Sequence, residues 1–363
     1  MTNYKIGLVI DDEFGSQHIP PYPKPSFISF ENPHRVKIIV DSLKEWNLIE
    51  NDKITRLNPK VVDESVLKLA HSEYHVESIK RISKLGGGIL TEEVFIAEDT
   101  FNLAKKAVGG AIEAMESIID DKVEQSFALI RPPGHHALRE CASGLCIFNN
   151  IANAILYLRN IRNYKEKIAI IDIDNHFGDG IAQYFYEDSS VLYYSIHEFD
   201  FENPDIGMIN ELGSGQGLGT NINIPIPPES TDEDFFECFD LMEDIIREYN
   251  PGLIIVAAGF DMYFADPIGN CLLTSKGYYE FAKRITRISK EVCNGKVCFI
   301  LEGGYSLIGL PYCVKGIIIA LLNKEFKAPE FELLNMPFKS LNLVEIQKIN
   351  ALARQLLTPY WKL

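Results

Sequence analysis

Residues 168–176 read IAIIDIDNH. The first four of them form a continuous apolar run, which is typical of a strand buried on both faces of a parallel sheet. Side chains two residues apart on a strand point the same way, so Asp174 and His176 share a face where this strand ends. Two ligands of one metal ion must share a face in this way. The stretch therefore predicts a buried parallel strand with a metal site at its end.

Other apolar runs predict the rest of the sheet. They cover residues 5–10, 127–130, 191–196, 253–258 and 297–301. Segments with helical periodicity separate them, at 34–48, 64–83, 100–119, 146–162, 231–249, 275–293, 306–323 and 342–357. This alternation predicts a three-layer, doubly wound α/β fold with a mostly parallel sheet. We expect one domain over residues 1–323 and a C-terminal extension over 324–363, whose helix packs on the domain or on a partner subunit of an oligomer.

A third candidate ligand, Asp261, stands just after the end of another apolar run. Residues 257–261 read AAGFD, so a carboxylate again follows a predicted strand. Together with Asp174 and His176 it gives two carboxylates and one imidazole. Such a set suits Zn²⁺ or Fe²⁺ better than Ca²⁺, and three protein ligands leave a fourth position for water at a catalytic zinc. Glycine- and proline-rich loops at 131–145, 198–219 and 262–273 follow strands, so we expect them to form the mouth of the site.

Two adjacent histidines follow the predicted strand 127–130. Residues 131–136 read RPPGHH, so His135 and His136 lie on a loop stiffened by proline and glycine. Imidazole titrates near neutral pH, and it needs a fixed orientation for proton transfer. Asp172 and Asp179 flank the pair of metal-ligand candidates, and they are the natural carboxylates to orient the two rings.

A tyrosine follows the last predicted strand. Residues 301–305 read LEGGY, and Gly303 and Gly304 let the backbone turn and bring Tyr305 toward the same side. A phenol can donate a hydrogen bond to the oxyanion that forms when water attacks a carbonyl carbon. Metal, histidine pair and phenol together indicate metal-assisted hydrolysis of an amide.

Composition disfavours several classes of function. The formal net charge is −16, and binding to nucleic acid or to an anionic membrane is not expected because surfaces that bind phosphates are basic. The seven cysteines are an odd number without a CxxC pair, and no signal-peptide pattern precedes the first apolar run, so we expect a reducing cytoplasm. The longest apolar stretch, 316–322, is too short to span a bilayer.

The ordered motifs resemble those of the zinc-dependent histone deacetylase superfamily, which includes acetylpolyamine amidohydrolases and acetoin-utilisation proteins. The motifs are RPPGHH (131–136), SGLCIFNN (143–150), DIDNHFGDG (172–180), AAGFD (257–261) followed by Asp266-Pro267, and EGGY (302–305). The similarity covers residues 18–323. It implies an arginase/deacetylase-like catalytic domain that acts on an acyl-lysine peptide or a small N-acyl amine.

The resemblance implies two metal sites. Zinc is expected on Asp174, His176 and Asp261, and the same set accepts Fe²⁺. In many family members a potassium ion lies beneath the zinc, held partly by backbone oxygens. The positions that match that potassium site are Asp172, Asp174, His176, Ser195 and Ile196.

The resemblance also implies how protons move. His136 is expected to act as general base and then as general acid, with support from Asp179. His135 is its electrostatic companion, supported by Asp172. Tyr305 polarises the scissile carbonyl.

Pocket positions follow from the same comparison of motifs. Arg35 resembles the arginine at the pocket floor, Gly144 and Leu145 match the pocket wall, and Gly303 and Gly304 adjoin the tyrosine. The wall position of Leu145 is more often aromatic.

The chain departs from the family pattern at three places. Phe177 stands where a second histidine usually follows the metal-binding one. The rim loop at 198–219 lacks the usual Pro-Gly-Thr-Gly type sequence. Ile268 stands where polyamine-selective relatives can carry an acidic gatekeeper, so it offers no carboxylate to a distal ammonium.

These inferences predict a metal-dependent deacylase of the acetyl-lysine type. One alternative is an amidohydrolase for acetylated polyamines or another small molecule. A second is a catalytically weak module that binds acyl-lysine or metal, which Phe177 keeps open. His71 and His75 have a helical metal-site spacing without a third ligand, so we interpret them as structural. Glu98 and Asp99 precede the helix at 100–119 and are expected to act as its cap and dipole partners, with a substrate-gripping carboxylate at Asp99 as the alternative.

Overall fold

Short apolar strands and amphipathic helices alternate along the chain. The computed structural model describes residues 5–21, 27–335 and 338–363. The strands are β1 (Ile6–Val9), β2 (Ile54–Leu57), β3 (Gly88–Ile89), β4 (Phe95–Ile96), β5 (Gln125–Ala128), β6 (Ile168–Asp172), β7 (Val191–Glu198), β8 (Asn221–Ile226), β9 (Leu253–Ala258) and β10 (Val297–Leu301). The helices are α1 (Phe27–Phe30), α2 (His34–Glu45), α3 (Glu64–Ala70), α4 (Glu73–Lys84), α5 (Thr100–Ile119), α6 (Asn150–Asn160), α7 (Asp179–Phe185), α8 (Asp232–Tyr249), α9 (Ser275–Val292), α10 (Leu310–Leu321), α11 (Glu330–Asn335) and α12 (Leu343–Leu357).

The chain divides into two compact units. The first contains the chain up to Lys165 together with Gly178–Tyr184 and Cys298–Glu302. Its strands follow the order β2-β1-β5-β10, and β1 pairs in parallel with both β2 and β5. The short strands β3 and β4 form a separate antiparallel pair.

The second unit contains Glu166–Phe177, Phe185–Val297 and Gly303–Leu363. Its strands follow the order β9-β6-β7-β8, and every neighbouring pair is parallel. Asp172, at the end of β6, lies opposite Ala257 of β9 and Ser195 of β7. Strands β6 and β9 are fully buried, as continuous apolar runs predict. The predicted α/β class with a mostly parallel sheet is confirmed.

Two predicted helices have different bounds. The helix predicted over 64–83 is two helices, because the hydroxyl of Ser72 accepts a hydrogen bond from the N–H of His75 and starts α4 there. The helix predicted from residue 146 begins at Asn150, since the side chain of Asn149 caps it by accepting from the N–H of Ala152. In both cases a polar side chain sets the start of a helix within a longer amphipathic stretch.

The C-terminal helix α12 belongs to the second unit and packs against α8. Asn350 donates from Nδ2 to the carbonyl of Glu237 at 2.9 Å, and Trp361 donates from Nε1 to the carbonyl of Gly219 at 2.8 Å. These bonds fix the end of the chain to that unit. Among the described helices none has both the length and the apolar character needed to cross a membrane.

Three buried histidines are neutral in the folded protein. In His71, Nδ1 lies 2.9 Å from the carbonyl oxygen of Leu138 and Nε2 accepts from the N–H of Asn149 at 2.9 Å. One ring nitrogen therefore carries a proton and the other does not. Burial lowers the pKa of His18 and of His71 to about 3, and that of His197 to about 4.

We expect the buried histidines to make the folded protein less stable as the pH is lowered from about 6.5 toward 4, while buried carboxyls such as Asp266, whose pKa is raised to about 7, act in the opposite direction. The unfolded chain binds protons at these histidines in that range and the folded chain does not, so their contribution to the free energy of unfolding decreases with decreasing pH. Each histidine contributes at most about 1.4 kcal/mol per pH unit. Thermal melting of EDTA-treated wild type and His71→Gln at several pH values isolates the contribution of His71, because lowering the pH should lower the melting temperature of the wild type relative to that of the variant. A difference in melting temperature that stays constant between pH 7 and 5 would contradict this expectation.

Candidate metal centre

The three predicted metal ligands come together in the second unit. Asp174 and His176 follow the end of β6, and Asp261 follows the end of the neighbouring strand β9. The N–H of Ile173 donates to the carbonyl of Ala257 at 3.1 Å, which extends the pairing of the two strands toward the site. One ligand atom from each of the three residues lies within 4.8 Å of the other two. Parallel pairing thus unites ligands that are far apart in the sequence.

Backbone donors orient both carboxylates. Asp174 accepts from the N–H of His176 at 3.0 Å through Oδ1, and from the N–H of Gly303 at 2.8 Å through Oδ2. Asp261 accepts from the N–H of Asn175 at 2.8 Å through Oδ1. The carboxyl groups are fully buried and cannot be oriented by bulk water. These hydrogen bonds therefore set the direction of the remaining lone pairs.

The donor set fits a divalent cation. Oδ2 of Asp261 is buried and accepts no hydrogen bond from the described residues, although it lies 3.2 Å from Nδ1 of His176. Burial and the charge of Asp174 raise the pKa of Asp261. Burial lowers the pKa of His176, but its interactions with the Asp174 and Asp261 carboxylates outweigh it and raise that pKa well above 6.5. A bound cation would neutralise the paired carboxylates and use the unsatisfied oxygen, so the residues fit Zn²⁺ or Fe²⁺.

The positions that match a potassium site lie on β6, just beyond its end, and on β7. Asp172 is buried, accepts from the hydroxyl of Tyr193 at 2.9 Å, and accepts from the N–H of Asp174 at 3.1 Å. Ser195 lies opposite Asp172 in the sheet, and Ile196 follows it on β7. These positions therefore adjoin the strand end that carries two of the metal-ligand candidates.

Tyr305 is carried by a segment that is bonded to the metal centre. The N–H of Gly303 donates to Asp174, and the carbonyl of Gly303 accepts from the N–H of Phe260 at 3.1 Å. A Cβ atom at Gly303 would lie 2.3 Å from Oδ2 of Asp261 and 2.5 Å from Oδ2 of Asp174, so only glycine fits there. Gly304 has φ 108°, which favours glycine. Tyr305 itself is 8% exposed.

Asp266 bonds to the same segment from the other side. Its Oδ2 accepts from the N–H of Tyr305 at 2.6 Å and from the N–H of Ser306 at 2.9 Å, and its Oδ1 accepts from the N–H of Ile268 at 3.1 Å. Burial and the charge of Asp261 raise the pKa of Asp266 to about 7, against the effect of these donors. Ile268 is half-buried and lies next to this carboxylate in the loop that follows β9.

The predicted histidine pair lies in the first unit. Nδ1 of His136 lies 2.8 Å from Oδ1 of Asp179, and the ring centroids of His135 and His136 are 3.9 Å apart. The N–H of His135 donates to Oε2 of Glu302 at 3.1 Å, and its carbonyl accepts from the N–H of Ile181 in α7 at 3.0 Å. Both backbone groups of His135, its N–H and its carbonyl, are therefore hydrogen-bonded within the first unit. Asp179, the first residue of α7, orients the ring of His136.

The predicted pocket wall contacts His136. Gly144 has φ 50°, and a Cβ atom there would lie 2.3 Å from Cδ2 of His136. Its N–H donates to Oε2 of Glu93 at 3.0 Å. Leu145 has φ 66° and is buried. A glycine is therefore required at position 144 for the loop to lie against the imidazole.

Arg35 belongs to a buried ion cluster in the first unit. It donates to Oε1 of Glu31 at 3.2 Å and to the carbonyl oxygen of Glu302. Arg131 donates to both oxygens of Glu31, at 2.8 and 2.7 Å. Burial opposes ionisation of Glu31, but the charge and hydrogen bonds of Arg131 dominate and hold its pKa at about 2. One carboxylate thus holds two buried guanidinium groups in place.

Phe177, which departs from the family pattern, packs on aromatic rings of the second unit. Its ring centroid lies 5.0 Å from that of His197 and 6.1 Å from that of Tyr193. Nδ1 of His197 accepts from the hydroxyl of Ser195 at 2.9 Å, and its Nε2 donates to the carbonyl of Gly207 at 3.0 Å. His197 thereby connects β7 to the divergent rim loop.

His75 and Asp99 make hydrogen bonds within the first unit. His75 is buried, and its Nε2 lies 2.9 Å from the carbonyl oxygen of Ile147. Asp99 precedes α5 without capping it through its side chain, which instead accepts from the N–H of His18 at 3.0 Å. The predicted cap is therefore wrong at Asp99.

Three acidic residues with prominent contacts were not predicted to be part of a site. Glu302 and Asp266 belong to the motifs EGGY (302–305) and Asp266-Pro267, and their membership of these motifs is the signal that could have identified them. Glu31 lies in the bend between α1 and α2, outside the predicted helix at 34–48, so helical spacing does not relate it to Arg35 and the sequence pattern carries no signal for it.

Comparisons with known proteins agree with these motifs. The Histone deacetylase domain family model matches residues 29–321. A probable deacetylase of Archaeoglobus fulgidus is 36% identical over 326 residues, which cover 89% of this chain and 88% of that protein. The chain is also similar to the polyamine deacetylase HDAC10 of Danio rerio, with 33% identity over 80% of this chain and 44% of that protein.

Two further similarities concern length and fold. Histone deacetylase HDA1 of Candida albicans is 33% identical over 84% of this chain, but the match covers 39% of that protein. The chain thus spans less than half the length of some curated relatives. A crystal structure of the HDA15 HD domain matches with a TM-score of 0.86 and 26% identity, covering 99% of this chain and 96% of that one. This match confirms the predicted arginase/deacetylase-like α/β fold.

Proposed function

Because the chain belongs to the histone deacetylase family, we propose that it hydrolyses N-acyl amides of the acetyl-lysine type in a metal-dependent reaction. The observation that carries the proposal is the buried cluster of Asp174, His176 and Asp261, with an unsatisfied carboxylate oxygen aimed at the site. These residues would hold Zn²⁺ or Fe²⁺. When bound, the metal supplies a Lewis acid that lowers the pKa of water and polarises a carbonyl oxygen.

The histidine pair supplies the proton transfers in this proposal. His136 takes a proton from the attacking water and then gives it to the departing amine as the C–N bond breaks. Asp179 accepts from Nδ1 of His136, which leaves Nε2 as the base. His135 is the electrostatic companion of His136, and Asp172 is proposed to support it. Tyr305 donates its O–H to the oxygen of the scissile carbonyl as negative charge develops there.

The remaining candidate residues are proposed to shape the pocket and a second cation site. We assign Arg35 to the pocket floor, where the contact with the carbonyl of Glu302 supports a fixed guanidinium. We assign Gly144 and Leu145 to the wall, Ile268 to the rim, and Gly303 and Gly304 to the turn before Tyr305. The potassium site is proposed on Asp172, Asp174, His176, Ser195 and Ile196, which lie on the paired strands β6 and β7 or just beyond the end of β6.

Acetylated polyamines are the second candidate substrate class. The similarity to a polyamine deacetylase supports them, and the net charge of −16 favours a cationic ligand. Ile268 opposes them, because it provides no carboxylate for a distal ammonium group. We therefore favour acyl-lysine. We also propose a reducing compartment, the cytoplasm, since all seven cysteines are free thiols and six of them are buried.

Metal reconstitution tests the proposed reaction. Metal-stripped protein is loaded with Zn²⁺ or Fe²⁺ and given an acetyl-lysine peptide, an acetylpolyamine and a simple acetyl anilide at equal concentrations. We expect acetate release only with metal, and fastest from the peptide. Faster release from the acetylpolyamine would favour the second substrate class. No release from any of the three, with metal shown to be bound, would overturn the hydrolase proposal in favour of a binding module.

A further inference from the structure

Asp266 accepts hydrogen bonds from three backbone N–H groups, and two of them belong to the segment that carries Tyr305. One carboxylate oxygen, Oδ2, accepts from two successive backbone N–H groups, those of Tyr305 at 2.6 Å and Ser306 at 2.9 Å. The other, Oδ1, accepts from the N–H of Ile268 at 3.1 Å. A single side chain thus connects the loop after β9 to the segment after β10 at the residue that bears the phenol.

The opposite end of the segment is bonded to the metal centre. Gly303 donates to Oδ2 of Asp174 at 2.8 Å and accepts from the N–H of Phe260, the residue before Asp261. The backbone of residues 303–306 is therefore held between a metal-ligand candidate at one end and Asp266 at the other. Because Gly303 and Gly304 precede Tyr305, the segment has little stiffness of its own, and these contacts help to fix the backbone of Tyr305.

A carboxylate is the side chain that can make all three contacts. An asparagine has one acceptor oxygen, and its NH₂ group would face an N–H donor either at Ile268 or at the pair Tyr305 and Ser306. Glutamate would keep the charge but place it one methylene group further away. The position therefore requires both the acceptor capacity and the length of aspartate.

From this geometry we infer that Asp266 is a positioning residue: it fixes the backbone of Tyr305 so that the phenol is aligned on the scissile carbonyl. The inference rests on the role of Tyr305 in the proposed function. Asp266 touches neither substrate nor metal in this scheme and acts through Tyr305. Misplacing a reacting group by an ångström costs up to about a hundredfold in rate, so the loss of this clamp has a measurable effect on turnover.

A double-mutant cycle tests the inference. Asp266→Asn is expected to lower kcat by about tenfold to a hundredfold, with a smaller change in KM. In a Tyr305→Phe background the same substitution should change kcat by less than about threefold, because the phenol on which it acts is gone. Metal content and melting temperature are measured for each variant. If Asp266→Asn folds poorly, Asp266→Glu replaces it with the same expectations.

Hydrogen exchange provides a readout that does not depend on activity. Deuterium uptake by a peptide spanning residues 303–309 should increase in Asp266→Asn, in metal-free and metal-loaded protein alike. The matched control is Asp232→Asn. Asp232 is also a carboxylate that accepts from a backbone N–H, that of Thr274 at 2.9 Å, and from the Thr274 hydroxyl at 2.7 Å. Its substitution should leave uptake at 303–309 and kcat unchanged.

The outcomes separate this inference from the proposed function. Unchanged kcat in Asp266→Asn, an equal loss in the Tyr305→Phe background, or a loss explained by reduced metal content would each overturn the positioning role. A wild-type protein without amidase activity would instead refute the proposed function. If the wild type is inactive and Asp266→Asn leaves uptake at 303–309 unchanged, Asp266 does not hold this segment at all. If uptake increases, the contact of Asp266 with the segment is structural and has no catalytic role.

Discussion

Replacing Asp261 by asparagine should lower kcat/KM by about a thousandfold or more. Oδ2 of Asp261 is one of several buried oxygens that receive no hydrogen bond from the described residues, and Asp261 belongs to the metal-ligand set. Loss of a metal that contributes several kcal/mol of transition-state stabilisation corresponds to this factor. Kinetics on the acetyl-lysine peptide and metal analysis of the same samples measure the change.

Although Asp261→Asn should lower activity, it should not lower the melting temperature of the metal-free protein. Because burial and Asp174 raise the pKa of Asp261, its charged form opposes folding when no cation is bound. The metal-free asparagine variant should therefore melt at or above the temperature of the metal-free wild type, while it loses the increase in melting temperature that metal gives the wild type. Wild-type metal affinity in Asp261→Asn would show that the cluster is not the metal site.

Tyr305→Phe is expected to lower kcat by about a hundredfold to a thousandfold, the effect of removing one donor to an oxyanion. The substitution removes one oxygen atom and leaves the ring in its buried position. KM, metal content and melting temperature should therefore change little. Steady-state kinetics with matched metal loading give the answer, and a phenylalanine variant with unchanged turnover would remove Tyr305 from the mechanism.

Continuous apolar strands could be predicted from the sequence, and alternating ones could not. Strand β8 reads NINIPI, in which asparagine interrupts the apolar pattern, yet every residue of it is buried. Asn221 and Asn223 are accommodated because their Nδ2 groups donate to the carbonyl of Glu211, at 2.7 and 3.3 Å. That carbonyl belongs to a loop whose position the sequence does not reveal. Without it, two buried amides argue against a strand.

Some residues of the candidate site could likewise be predicted from the sequence, and others could not. Asp174, His176 and Asp261 could be predicted because each stands just beyond an apolar run, where sheet topology places ligands. Glu302 and Asp266 were missed because their partners are backbone N–H groups, those of Gly134 and Tyr305, and any residue could supply them. A side chain that recognises backbone leaves no pattern at its partner's position.

The path of the chain through its two units limits how this protein can be taken apart. The first unit needs Gly178–Tyr184 and Cys298–Glu302 in addition to the chain up to Lys165. A fragment cut at Lys165 would lack Asp179 and Glu302, the partners of the histidine pair. Recombination of the gene at one crossover point therefore cannot transfer the first unit without parts of the second. Chimaeras that exchange the first unit alone need three separate pieces.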